Sequence, residues 1–215
     1  MSESSVARRI ARHLLRIQAV SFSPDAPFTW ASGLRSPVYC DNRITISYPD
    51  VRRDICEAFQ DALQARSDIP EVIAGTATAG IPHAAWLADR LDLPMIYVRS
   101  RPKGHGSGSQ IEGRLLAGQS VVVIEDLVST GGSSRHVVEA LRDAGARVAS
   151  VLAIFSYELD AADRTFTDLD VPLHTLTRFQ ELFDAAREMG TLTEASIGSI
   201  LEWRANPQQW SDQHI

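Results

Sequence analysis

Residues 121–134, VVVIEDLVSTGGSS, combine two adjacent carboxylates with a glycine-rich turn. The apolar run predicts a buried strand, and an unpaired carboxylate is costly to bury, so a ligand at the strand end would account for Glu125 and Asp126. Carboxylates only accept hydrogen bonds, which suits the vicinal hydroxyls of a ribose 5-phosphate. Adjacent strand residues point to opposite faces, but at the strand's end both acids can turn toward a ligand in the next loop.

The segment after the acid pair predicts a phosphate site at the start of a helix. Gly131 and Gly132 permit backbone conformations that other residues resist, and a helix with apolar Val137, Val138 and Leu141 follows. Free N–H groups and the helix dipole attract anions at such a start. Further hydroxyl donors are Ser129, Thr130, Ser133 and Ser134. A plain turn with a serine cap is the alternative for these residues alone, and the preceding acids favour the phosphate site.

Two further loops have compositions suited to binding phosphate groups. The loop GTATAG, residues 75–80, follows a predicted strand and opens a helix, so its N–H groups could meet a pyrophosphate; an ordinary turn is the alternative. Residues 99–113 contain four glycines, three cationic residues and His105. This composition predicts a mobile polar loop, and solvated surface is its alternative interpretation.

The elements that must position these loops alternate between strand and helix. Predicted strands cover 71–75, 94–100, 119–127, 146–157 and 171–177. Predicted helices cover 5–17, 48–63, 84–91, a turn and helix at 129–145, 179–189 and 193–204, while 28–43 predicts a short strand or hairpin. This order predicts an α/β fold with a central parallel sheet flanked by helices. Its ligands are expected beyond the carboxyl ends of the strands.

Composition narrows the class of partner. The 215 residues are 44% hydrophobic, which is enough for one domain with a sizeable core. The net charge of -6 and the lack of a Lys/Arg block argue against nucleic acid and favour a small molecule. Cys40 and Cys56 are interpreted as reduced thiols. We see neither an apolar run of bilayer length nor a signal peptide, so we expect a cytoplasmic protein without membrane contact.

The segment VVVIEDLVSTGGS resembles the phosphoribosyl-diphosphate motif of the type I phosphoribosyltransferases. Together with FTWASGLRSPVYCDNR, GTATAGIPHAA and YVRSRPKGHG, in that order, it resembles the orotate phosphoribosyltransferase branch. The resemblance implies transfer of phosphoribose to orotate, with Mg2+ held mainly through the substrate. It also implies a homodimer in which loop 99–113 reaches the neighbouring active site. One domain, 1–215, would comprise N-terminal helices and a small hood (1–68) and an α/β core with C-terminal helices (69–215).

The resemblance also implies roles for individual residues. Catalytic roles fall to Lys103, His105 and Asp126. Phosphoribosyl diphosphate would be bound by Arg99, Lys103, His105, Glu125, Asp126, Leu127, Val128, Ser129, Thr130, Gly131, Gly132 and Ser133. Orotate would be bound by Ser129, Tyr39 and Cys40.

Some positions depart from other branches of the family. Thr78 and Ala79 replace a Tyr-Lys pair, Ala31 replaces a lysine, and SYELD lacks an arginine found after the third core strand. Arg35 could reach the orotate carboxylate or could be a surface charge.

Two other functions are alternatives: a phosphoribosyltransferase for another base, and a noncatalytic regulator that senses phosphoribosyl diphosphate. The segments FTWASG and RSPVYCDN favour orotate, and the acidic chain without a basic helix-turn-helix segment argues against a regulator. His83 and His136 are interpreted as packing or surface residues, because no metal-ligand spacing includes them. Trp203 and Trp210 are expected to pack the C-terminal helices.

Overall fold

The computed structural model describes residues 3–30, 33–66, 70–101 and 110–214. The N-terminal elements are α1 (Glu3–Arg16), β1 (Val20–Phe22), β2 (Phe28–Thr29), β3 (Arg35–Ser36), β4 (Val38–Cys40), a 3₁₀ helix (Asn42–Ser47) and α2 (Pro49–Gln64). The following elements are β5 (Val72–Thr76), α3 (Gly80–Leu91), β6 (Met95–Val98), β7 (Ile111–Glu112), β8 (Ser120–Val128), α4 (Gly132–Asp143) and β9 (Arg147–Ser156). The chain continues with α5 (Asp160–Leu169), β10 (Leu173–Arg178), α6 (Phe179–Glu188), α7 (Glu194–Ala205) and α8 (Pro207–Gln213).

Six strands of the described chain form one sheet in the order β10-β9-β8-β5-β6-β7. All neighbours are parallel except the edge pair β6 and β7. The predicted α/β fold with a central parallel sheet is therefore confirmed. Strand β8 lies in the middle, and its residues from Val121 to Ile124 are buried on both faces, as continuous apolar runs in parallel sheets usually are.

Two apolar cores cover the faces of this sheet. One contains Ile73, Val122 and Leu152 with residues from α1, α2, α3, α6 and α7. The other contains Val121 and Val151 with residues from α4 and α5. Successive strand residues point to opposite faces, so each inner strand contributes to both cores. Trp203 and Trp210 are buried in the first core, which confirms their predicted packing role.

The N-terminal strands form two short antiparallel pairs, β2 with β3 and β1 with β4. We call residues 20–30 and 33–47 the hood. The hairpin expected within 28–43 is thereby confirmed. Trp30 joins the hood to the main body, because its ring centroid lies 4.5 Å from that of Tyr157 and 5.8 Å from that of Trp203.

Helices α5 and α8 were not predicted from the sequence. Helix α5 buries Ala162, Phe166 and Leu169, whose spacings of four and three residues are helical. Helix α8 has a proline in its first turn and an asparagine cap at Asn206, which is a usual start signal. Both helices are short and mostly polar, so their apolar pattern is weak. Within the described residues, every helix is too short or too polar to cross a bilayer.

Candidate active site

The loop between β8 and α4, residues 129–131, ends in a glycine that two constraints require. Gly131 has φ +81°, in the left-handed region that side chains disfavour. A Cβ atom there would lie 2.9 Å from Thr165 Cγ2. Glycine also has no side chain to cap α4, so the first N–H groups of that helix stay available to a ligand. The neighbouring Gly132 has no such crowding, since the nearest atom would be 3.9 Å away.

Helix α5 supports this loop from outside the sheet. Thr165 Oγ1 donates a hydrogen bond to the Thr130 carbonyl at 2.9 Å, and the side chains of Thr165 and Phe166 lie against Gly131. The loop is therefore fixed by a helix that comes about 35 residues later, through contacts that no local sequence pattern marks.

Glu125 is 3% exposed and contacts the start of α4. Its Oε2 atom accepts hydrogen bonds from Ser133 Oγ at 3.0 Å and from Ser134 Oγ at 3.4 Å. Its Oε1 atom accepts one from the Asp126 N–H at 3.2 Å. Burial, and after it the neighbouring Asp126 carboxylate, raises the pKa of Glu125 to about 8.

Strand β8 passes through the acid pair and ends two residues later, at Val128. Pairing with β9 continues to Val128, whereas pairing with β5 stops at Gly75 opposite Ile124. The acid pair therefore lies beyond the end of the pairing with β5 but within the pairing with β9. The sequence placed the end of the strand at the acid pair, and this is correct only on the β5 side.

Asp126 is half-buried and lies on the side of the hood. Burial raises the pKa of its carboxyl, against the lowering effect of hydrogen bonds and the nearby Arg43. The Arg43 guanidinium itself is held by Asp41 at 2.6 and 2.7 Å. Asn42 Nδ2 donates to the Asp126 carbonyl at 2.6 Å. Asn42 was missed by the sequence reasoning, although it lies within the CDNR segment that carried the resemblance.

Tyr39 and Cys40, the predicted orotate residues, lie in β4 next to the acid pair. Tyr39 is 37% exposed and its ring packs at 5.4 Å from Phe28. Cys40 is buried, and its N–H donates to Tyr157 Oη at 2.9 Å. Because this N–H already has an acceptor, a bound ring could accept from it only if Tyr157 moved. Otherwise the ring would need a different hydrogen-bond donor here. Burial, followed by the charges of Asp126 and Asp41, raises the pKa of the Cys40 thiol.

Arg35 is held by the C-terminal segment. Its guanidinium donates to the His214 carbonyl at 2.7 Å, and its N–H donates to Ser211 Oγ at 2.9 Å. It lines a cavity of about 670 Å³ between the hood, the β8–α4 loop at Thr130 and the start of α8 at Pro207. The C-terminal helix thus borders the site, which the sequence did not indicate.

The glycines of the loop 75–80 are explained by packing. A Cβ atom on Gly80 would lie 2.3 Å from the Ile124 carbonyl oxygen, and one on Gly75 would lie 3.0 Å from Ile81 Cα. Helix α3 can approach the sheet only because these positions lack side chains. Its first turn has no side-chain cap. Contact of this loop with pyrophosphate stays a prediction.

Arg99 directly follows β6 at the same edge of the sheet. Its guanidinium lies 3.6 Å from Glu112 Oε1, and its N–H donates to the Gln110 carbonyl at 2.9 Å. Lys103 and His105 lie outside the described residues, so their roles stay predictions.

His83 is buried, with Nε2 at 3.2 Å from Thr45 Oγ1, which confirms a packing role.

The acid pair and the loop between β8 and α4 lie within residues 47–176, which match a family model for the phosphoribosyl transferase domain over more than half of the chain. The orotate phosphoribosyltransferase of Bacillus pumilus is 52% identical over 209 residues, covering 96% of this chain and 99% of that protein. That of Staphylococcus saprophyticus is 53% identical over 201 residues, covering 94% and 99%. The crystal structure of orotate phosphoribosyltransferase from Aeropyrum pernix superposes with a TM-score of 0.72 at 30% identity, covering 86% of this chain and 99% of that one. The chain belongs to the orotate phosphoribosyltransferase family, as the resemblance of its motifs indicated.

Proposed function

We propose that this protein transfers the phosphoribosyl group of 5-phospho-alpha-D-ribose 1-diphosphate to orotate. The products are orotidine 5'-monophosphate and pyrophosphate, in the de novo synthesis of UMP. The observation that carries the proposal is the acid pair of β8 placed directly before the uncapped start of α4. The choice of orotate is supported by relatives of that name at 52–53% identity over nearly the whole chain.

The phosphoribosyl donor is bound where β8 meets α4. The 5'-phosphate takes N–H groups and hydroxyls of residues 129–133, at the positive end of the α4 dipole. Glu125 and Asp126 accept hydrogen bonds from the ribose hydroxyls. Glu125 already accepts from Ser133 and Ser134, so it also orients the hydroxyls of the phosphate loop.

Departure of pyrophosphate needs cations as negative charge develops. Arg99, Lys103 and His105 supply them, and Arg99 lies at the carboxyl edge of the sheet beside the loop 75–80. Loop 99–113 closes over the site of a neighbouring subunit in a homodimer and excludes water. Thr78 and Ala79 bring no cation to the loop 75–80, so Lys103 carries more of this role.

Mg2+ fits this site through oxygen donors alone. The described residues contain no group of three or more His, Cys, Asp or Glu side chains placed to hold a metal. Glu125 and Asp126 are the kind of ligand Mg2+ prefers, and with so few protein ligands the cation would be held mainly through the substrate. When bound, it neutralises charge on the diphosphate.

The reaction is a dissociative displacement at the anomeric carbon. As the ribosyl centre becomes positive, the negative field of Glu125 and Asp126 favours it. Orotate binds beside Ser129, Tyr39 and Cys40, and its ring nitrogen attacks the opposite face from the departing pyrophosphate. The bond from the anomeric carbon to pyrophosphate breaks as the bond to nitrogen forms, and the proton of the ring nitrogen passes to a nearby carboxylate.

The chain works as one domain, with residues 1–68 as helices and hood and residues 69–215 as α/β core. Helix α1 packs against α6 and β10, and its Ile10 and Leu14 join the same core as the sheet, which supports this organisation. We further propose that the enzyme is cytoplasmic.

The test is to mix the protein with orotate, phosphoribosyl diphosphate and Mg2+ and to follow the loss of orotate absorbance. We expect turnover with orotate and none with uracil, adenine or hypoxanthine in matched reactions. Turnover with another base alone would overturn the assignment of orotate. Binding of phosphoribosyl diphosphate without pyrophosphate release, whatever the base, would indicate the regulator instead.

A further inference from the structure

Asn42 is a buried amide between the hood and the sheet. It is 1% exposed, and both ends of its side chain have a partner. Nδ2 donates to the Asp126 carbonyl at 2.6 Å, and Oδ1 lies 3.2 Å from Cys40 Sγ, which donates to it. A buried amide is stable only when it is hydrogen-bonded, so this position depends on partners from both sides of the site.

The Asp126 carbonyl needs this donor because β5 no longer pairs with β8 there. Pairing ends at Ile124, whose carbonyl oxygen is covered by the close approach of Gly80 at the start of α3. Two residues further along β8, the Asn42 side chain donates its hydrogen bond to the Asp126 carbonyl. A buried strand carbonyl without a partner is costly, so Asn42 stabilises the backbone that carries the Asp126 carboxylate.

Asn42 is itself held from two directions. Thr45 Oγ1 donates to the Asn42 carbonyl at 2.5 Å and lies 3.2 Å from His83 Nε2 on α3. Cys40, the thiol partner, is held by its N–H bond to Tyr157 at the end of β9. The amide therefore stands in a continuous set of contacts that joins β4, the 3₁₀ helix, α3 and β8.

We propose that Asn42 is a positioning residue that couples the base side of the active site to the ribose side. It holds the backbone of Asp126 and the strand that carries Tyr39 and Cys40 in one fixed relation. The inference rests on the proposed function for the identity of the base, whereas the effect on phosphoribosyl diphosphate depends on the acid pair alone.

Asn42→Ala removes both contacts, and Asn42→Asp keeps the shape and the acceptor toward Cys40 but turns an oxygen toward the Asp126 carbonyl. We expect each variant to raise KM for both phosphoribosyl diphosphate and orotate at least about tenfold, equivalent to about 1.4 kcal/mol for each substrate. The matched control is Ser36→Ala. Ser36 is equally buried in the hood, but among the described residues its hydroxyl bonds only within β3 and β4. It donates to the Val38 carbonyl at 2.8 Å and accepts from the Val38 N–H at 3.1 Å.

The measurements are both KM values, the thermal midpoint, and calorimetric titration with phosphoribosyl diphosphate and Mg2+ without orotate. The inference is supported if the Asn42 variants bind the donor more weakly than the wild type does. The control Ser36→Ala should have a similar thermal midpoint and unchanged KM values. A rise in KM for orotate alone would overturn it, because Asn42 would then support only the hood. Unchanged KM values would also overturn it. If Asn42→Ala is too unstable to purify, Asn42→Asp decides. Donor binding by a wild-type protein that lacks orotate turnover would contradict the proposed function, while the role of Asn42 could still be tested by the titration.

Discussion

Gly131→Ala should destabilise the protein through two separable effects. A side chain at φ +81° costs about 1 kcal/mol, because left-handed backbone crowds Cβ. The new Cβ would also lie 2.9 Å from Thr165 Cγ2 and 3.1 Å from Thr165 Cβ, and overpacking of this kind costs about 1–3 kcal/mol. We therefore expect a loss of about 2–4 kcal/mol in the free energy of unfolding.

The assay is urea denaturation of the Gly131 variant beside Gly132→Ala. Gly132 is the first residue of α4 and has open space around its Cβ position, so alanine there should leave stability unchanged or raise it by up to about 1 kcal/mol. The two substitutions make the same chemical change one residue apart. Their difference isolates the conformation and crowding of Gly131.

Thr165→Ser separates the two effects. Serine keeps the hydroxyl that bonds the Thr130 carbonyl but lacks Cγ2, the nearest atom to the new methyl group. In the double variant, the crowding part should shrink, because only the contact with Cβ of residue 165 at 3.1 Å and that with Phe166 at 3.3 Å remain, and the cost of about 1 kcal/mol for the backbone should persist. Equal stability of the Gly131 and Gly132 variants, or no recovery with Thr165→Ser, would refute the reasoning.

Lys103→Ala should lower turnover at least about a hundredfold, because a loop cation acts in the transition state, while the thermal midpoint stays unchanged; near-wild-type turnover would remove its assigned role. The pKa of Glu125 is raised to about 8 in the folded protein, against 4.5 in the unfolded chain. The folded state therefore binds this proton more tightly, and the free energy of unfolding of the wild type should fall as pH rises from about 4.5 to 8. Glu125→Gln should abolish that loss, measured by urea denaturation at pH 6 and pH 9, and an equal slope in both proteins would contradict the assigned pKa. Tyr157→Phe leaves the buried Cys40 N–H without its acceptor, so the free energy of unfolding should fall by about 1–3 kcal/mol, measured by urea denaturation without substrates; unchanged stability would show that this hydrogen bond does not hold β4.

Much of the fold was predictable because its signals are local. Continuous apolar runs predict buried parallel strands, and the spacing of Val51, Ile55, Phe59 and Leu63 predicts α2. Helix α5 escaped prediction because ten mostly polar residues carry only a faint apolar period, and its stability comes from packing against α4 and the sheet.

The sequence by itself determined which residues could bind a ribose phosphate. An acid pair followed by small residues and glycines is a local pattern, since carboxylates accept from hydroxyls and a helix start binds anions. Resemblance in the hood segments then indicated orotate, and the relatives bear out that family.

Only the tertiary structure decided how those residues are held. Thr165 supports the β8–α4 loop from α5, Asn42 donates to the Asp126 carbonyl from the hood, and Ser211 and His214 hold Arg35 from the far end of the chain. These partners are separated by 35 to 179 residues along the chain, and the periodic pattern of apolar residues does not indicate contacts over such separations. The burial that raises the pKa of Glu125 is likewise a property of the packed molecule, because desolvation depends on every element that surrounds the carboxyl.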